Sequence, residues 1–266
     1  MGRQGSTRVR SAALAVVLAL VAGVATVKAP ATAAGPIHGV DVSGWQGYVD
    51  WGAVQRSGRM FAFAKATEGA TFVDRTFAAN RAGMGHAGLV LRGFYHFARP
   101  DRNTAAAEAA NFLRTVGPLG PGEVAVLDIE VTPGPGIGDW AAEWLARVHQ
   151  ATGRVPLIYS YQSYLYQVPT SRLTQYPLWV AAWGDDDGRV PATQPKTDRW
   201  GRWTFWQYTS KARVPGVSTQ VDDNLFNGTP AELASLAGGV VPPAADALGE
   251  LVKNVLDGLG GLLAPK

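Results

Sequence analysis

The sequence predicts an α/β fold: a single modified (β/α) barrel with eight mainly parallel strands and helices missing around the last strands. Three observations predict it. Short apolar segments recur eight times from Ile37 onward. Helical patterns separate the early ones. The late connections thin out, and residues 211–219 are too short and too interrupted by Pro and Gly to hold a helix. A doubly wound open sheet is the alternative. It normally carries a glycine-rich nucleotide turn after the first strand, and Asp41-Val42-Ser43-Gly44-Trp45 does not fit that pattern.

The first predicted strand, residues 37–43, ends in Asp41 and a turn. Asp50 then stands where a carboxylate caps the free N–H groups of a helix start. Residues 60–65 form the second strand, with Glu68 just past it, and a helical stretch covers 77–87. The third strand, 89–97, carries Tyr95 and His96 and leads to the Ala-rich helix 103–116. The fourth is Val124-Ala125-Val126-Leu127-Asp128-Ile129-Glu130, followed by a helix over 139–150 with Trp140, Trp144, Leu145 and Val148 on one face. Strands five to eight are 155–161, 178–183, 203–208 and 220–222.

The two ends differ from this core. Residues 1–34 hold Arg3, Arg8, Arg10 and Lys28 and no acid, with an apolar run from Ala12 to Val27 and a small-x-small site at Ala31-Thr32-Ala33. That is the pattern of a secretory signal peptide, and the run is shorter than the roughly 20 residues of a membrane span. The expected organisation is a signal peptide over 1–34, a catalytic barrel over 35–238, and a Pro-Pro linker with an amphipathic helical tail over 239–266. In the tail, Leu248, Leu251, Val252, Val255, Leu256 and Leu259 make one helical stripe.

The whole chain carries +3, but four positive charges lie in residues 1–34, so the rest is near −1. Nothing in that balance argues for nucleic acid binding. The chain has no cysteine, which excludes disulfides, thiol catalysis and thiolate metal sites. No metal-binding cluster stands out among four histidines, and no cofactor is expected.

The chemistry gathers on the fourth strand. Side chains alternate along a strand, so Asp128 and Glu130 share a side, about 7 Å apart along the rise. A carboxylate pair at the end of a buried strand is suited to glycosidic cleavage, with one acid and one helper. The plainer alternative is a strand ending in two solvated acids. In a barrel, strand C-terminal ends form the mouth of the site. Asp41, Glu68, Asp128, Glu130 and Asp222 all fall there, with Tyr95, Phe97, Tyr159, Tyr161, Trp183, Trp206 and Tyr208. Acids with aromatics suit a polysaccharide, since sugars present apolar C–H faces as well as hydroxyls. Each aromatic by itself could equally be core, His96 a structural histidine, and Lys65 with Glu68 a surface pair.

The motifs also run in a recognisable order. Asp41-Val42-Ser43, Trp45-Gln46-Gly47 and Asp50-Trp51 resemble the opening of glycoside hydrolase family 25, the Chalaropsis-type lysozymes. So do FAFAKATEG (61–69), GFYHFARP (93–100), LDIE (127–130), YSY (159–161), LWVAAWG (178–184), WQYTS (206–210) and VDDN (221–224). The resemblance implies cleavage of the β-1,4 bond between N-acetylmuramic acid and N-acetylglucosamine in peptidoglycan. It implies catalytic-site roles for Glu130, Asp128, Asp41 and Asp222. Substrate contacts are expected from Tyr95, His96, Tyr159, Tyr161, Trp183, Glu68, Gln207 and Asn224. The expected enzyme is a monomer that is extracellular or wall-associated, meets the membrane only during secretion and has bacterial cell-wall peptidoglycan as partner. A catalytically dead wall-binding module and a hydrolase of another N-acetylated polymer, such as chitin, remain as other readings. Asp223 is more polar than expected between Asp222 and Asn224.

Overall fold

The computed structural model describes residues 36–236 and 238, apart from 133, 169 and 170. The elements are β1 (Ile37–Val42), α1 (Trp51–Arg56), β2 (Arg59–Glu68), β3 (Phe72–Val73), α2 (Phe77–His86), β4 (Leu91–Phe97), α3 (Ala105–Val116), β5 (Glu123–Asp128), α4 (Ile137–Thr152), β6 (Leu157–Tyr161), α5 (Gln162–Leu165), β7 (Leu178–Ala181), β8 (Phe205–Ala212), β9 (Val221–Phe226) and α6 (Pro230–Leu236). All eight predicted strands are present, and β3 adds a two-residue hairpin on β2. The predicted signal peptide and tail stripe lie outside the described residues. Among the described residues no helix is long and apolar enough to cross a membrane.

The strands close into a barrel in the order β1, β2, β4, β5, β6, β7, β8, β9 and back to β1. Every pairing around the barrel is parallel except those of β9, which runs antiparallel to both β8 and β1. The reversal follows from chain length. A parallel return needs a crossover of about a dozen residues or more, and the link between Ala212 and Val221 is shorter than that. Helices α1 to α4 cover the early strands, α5 is a single turn, and no helix stands between β7 and β9. Asp50 caps α1 as expected, accepting from the Ala53 N–H at 3.0 Å, and Thr104 does the same for α3.

Strand alternation sorts the core into two layers. Inside the barrel lie Phe61, Phe63, Leu91, Val124, Val126, Leu157, Trp179, Phe205 and Phe226. Between sheet and helices lie Val40, Ala62, Ala64, Phe94, Ala125, Leu127, Phe112 and Trp144. Two inward positions must be glycine, because a methyl at Gly39 or Gly93 would run into the ring of Phe61 or Phe63. Leu233 of α6 is fully buried with the interior layer and closes the barrel opposite the mouth. Asp223 faces the outer layer, 2.6 Å from Arg59 and 3.5 Å from His38. Burial works against its charge, but the neighbouring His38 ring and the Arg59 guanidinium hold its carboxyl below the usual range. A buried acid is accommodated there because it is paired.

Candidate active site

The period-two alternation that fills the barrel also builds its mouth. On β5, Val124 and Val126 point inward, so Asp128 and then Glu130 continue the same row above them, while Leu127 and Ile129 point to the helices. On β1, Asp41 follows Ile37 and Gly39 on the inner side. Asp222 of β9 stands opposite Asp41 in the antiparallel register. The four acids open into one cleft of about 810 Å³, lined also by Lys65, Tyr95, Phe97, Tyr159, Tyr161, Trp179, Trp183 and Gln207. Trp183 is 41% exposed at its rim, which leaves its ring free to stack on a flat ligand face.

Every acid in this cleft is pushed toward its neutral form. Burial, then the charge of Glu130, drives Asp128 well above the carboxylate range, and its Oδ1 is buried with no hydrogen-bond partner. Burial, then the charge of Asp41, raises Glu130. Asp128 is the more deeply buried of the two, so burial and repulsion act most strongly on it. Two interacting carboxyls, both disfavoured as ions, favour a state in which one of them keeps its proton. Lys65 is the one cation among the described residues lining the cleft, and its charge lowers both members of the pair. Burial raises Tyr95 and Tyr159 well above the usual tyrosine value, and the neighbouring carboxylates add to it, so both remain O–H donors. Among the described residues no group of acids and histidines is arranged to hold a metal ion.

The structure brings Tyr95, Tyr159, Tyr161, Trp183 and Gln207 to the cleft as expected, but not three other predicted contacts. His96 faces outward, fully buried, with Nε2 at 2.7 Å from Glu108 and Nδ1 at 2.8 Å from Thr67, and it stacks on Trp144. It ties β4 to α3 and cannot touch a ligand. The signal was present in the sequence, because Tyr95 and Phe97 face inward and the residue between them must face out. Glu68 lies beside the cleft lining, where it pairs with Lys65 at 2.7 Å and Arg99 at 3.6 Å. Asn224 is fully buried and spends its amide on Asp41 and Trp179. Trp206 and Tyr208 likewise belong to the outer layer. Lys65 and Trp179 are cleft residues that the motif reading did not assign to the site. Trp179 shares the inward row of Trp183, two strand periods earlier.

A barrel that collects acids and sugar-stacking aromatics at the C-terminal ends of its strands has the fold and site of a glycosidase. The chain belongs to glycosyl hydrolases family 25, whose family model matches residues 40–217. It is 38% identical over 226 residues to Lysozyme M1 of Streptomyces globisporus, covering 78% of this chain and 73% of that protein. It is 33% identical over 235 residues to the N,O-diacetylmuramidase of Arthroderma benhamiae, covering 81% and 94%. Its fold superimposes on the bacterial lysozyme from Streptomyces coelicolor with a TM-score of 0.67 at 37% identity, covering 76% of this chain and 97% of that one. The family match stops short of β9, so the place of Asp222 rests on its register against Asp41.

Proposed function

We propose that the chain is a secreted, monomeric muramidase that hydrolyses the β-1,4 bond between N-acetylmuramic acid and N-acetylglucosamine in bacterial peptidoglycan. The observation that carries the reading is the Asp128–Glu130 pair, two carboxyls pushed toward their neutral form by burial and by neighbouring carboxylate charge inside an aromatic-lined cleft. Glu130 is the less buried of the two and extends beyond the strand end, where it can protonate the departing glycosidic oxygen. The unpartnered Oδ1 of Asp128 is suited to accept the N–H of a substrate acetamido group. That hydrogen bond favours ionised Asp128 with the proton on Glu130. It also aligns the acetamido oxygen as an internal nucleophile, which attacks the anomeric carbon as the glycosidic bond breaks, a route that forms no covalent bond between sugar and enzyme. Tyr95 and Tyr159 donate hydrogen bonds, and Trp183 stacks on a sugar face.

Reducing-end analysis of digested, purified peptidoglycan beside chitin tests the reading. New muramic acid ends with no cleavage of chitin support it. New glucosamine ends, preference for chitin, or binding without cleavage would each replace it with another reading.

A further inference from the structure

Beneath the cleft, two carboxamides meet one carboxylate. Asn224 donates from Nδ2 to Asp41 Oδ2 at 2.7 Å, and Gln207 donates from Nε2 to the same oxygen at 3.0 Å. The opposite ends of both amides face indoles. Trp179 Nε1 donates to Asn224 Oδ1 at 2.8 Å, and Trp183 Nε1 donates to Gln207 Oε1 at 3.0 Å, with the Tyr159 hydroxyl adding a third donor at 3.1 Å. An indole N–H can only donate, so each amide must turn its oxygen to the indole and its NH₂ to Asp41. Two N–H donors on one carboxyl oxygen favour the ionised form of Asp41, because hydrogen bonds to a carboxylate stabilise its charge. Asp222 stands opposite Asp41 in register and has no amide donor among the described residues, so a proton held between these two carboxyls is favoured on Asp222.

We propose that Gln207 and Asn224 are positioning residues that divide the roles within a one-proton aspartate pair: Asp41 is held as the charged acceptor, and Asp222 as the neutral acid that donates to it. The inference rests on reading the cleft as that of a glycosidase only where turnover is measured. The surrounding charges agree with it. Glu130 and Asp128 at the end of β5, Asp186 after β7 and Asp223 of β9 add negative potential, Lys65 of β2 opposes it, and Tyr95 and Tyr159 stay neutral. A second negative charge on the Asp41–Asp222 pair is therefore unfavourable, and the neutral member is the one with no amide donors. It follows that Asn is a good mimic of Asp222, since its NH₂ can donate where the acid O–H did. Asn is a poor mimic of Asp41, since its carbonyl oxygen can accept from the two amides but carries no negative charge for them to stabilise.

The test combines a readout without turnover and one with it. Carboxyl ¹³C NMR of aspartate-labelled protein between pH 5 and 8 should show Asp41 ionised and Asp222 neutral, each assigned by its Asn variant. Gln207→Met and Asn224→Leu keep volume and remove the donors. Each should raise the Asp41 titration and the acid limb of kcat/KM on peptidoglycan together, by about one pH unit. A merely structural loss would scale the profile without moving the limb. Asp222→Asn should keep activity within about tenfold, and Asp41→Asn should lose on the order of 100-fold or more. A neutral Asp41 at pH 7, limbs unmoved in both donor-free variants, or an Asp41→Asn enzyme more active than Asp222→Asn would overturn the proposal. Wild type that shows the stated protonation but leaves peptidoglycan intact would remove the muramidase reading and leave the proton placement standing.

Discussion

Replacing Asp222 with Asn should make the protein more stable, and increasingly so as pH rises. Burial, then the charge of Asp41 and the hydrogen bond to it, push the Asp222 carboxyl up to about 9, against 3.8 for an ordinary aspartate. Between those values the unfolded chain has lost this proton and the native state keeps it, so folding is opposed more strongly with each step up in pH. One pH unit corresponds to about 1.4 kcal/mol, giving a ceiling of about 3 kcal/mol between pH 5 and 7. Partial exposure of Asp222 to the cleft and sharing of the proton with Asp41 reduce this to about 1–2 kcal/mol. Asn removes the titrating group while keeping a donor toward Asp41. Urea denaturation of wild type and Asp222→Asn at pH 5, 6 and 7 measures the difference. An advantage that stays flat across this range, or a variant less stable than wild type throughout, would refute the reasoning. The sign is opposite for Asp223, whose carboxyl lies below the usual range. The stability it contributes is present above the unfolded value and is lost as pH falls through the folded one.

Further outcomes are expected. Glu130→Gln should lower peptidoglycan cleavage on the order of 100-fold or more with folding intact, and Asp128→Asn should also be severe; a Glu130→Gln enzyme clearing walls at near wild-type rate would remove the acid assignment. Trp183→Ala should weaken binding of soluble glycan fragments, measured by calorimetry, more than it lowers Tm, because the ring is 41% exposed; a large Tm loss with unchanged affinity would make it a core residue. Leu233→Ala should cost about 2–5 kcal/mol in urea denaturation, because the side chain fills the closed end of the barrel, whereas a chain ending at Gly239 should remain soluble and keep its turnover.

Local pattern determined a good deal of this protein. Period-two alternation put Asp128 and Glu130 on one side before any contact was known, and the same rule, applied to Tyr95 and Phe97, would have turned His96 outward. The capping position of Asp50 and the thinning of helices after β6 were also legible, because both depend on near neighbours and connection length. Tertiary structure decided the rest. The Arg59–Asp223 pair and the Gln207 and Asn224 bonds to Asp41 each join residues more than 160 positions apart. The burial of Leu233 at the closed end and the deeper burial of Asp128 within its pair appear only once the barrel has closed. Burial and register across the β1–β9 seam set which carboxyl holds a proton. Both are properties of the closed sheet, and no local stretch of sequence carries them.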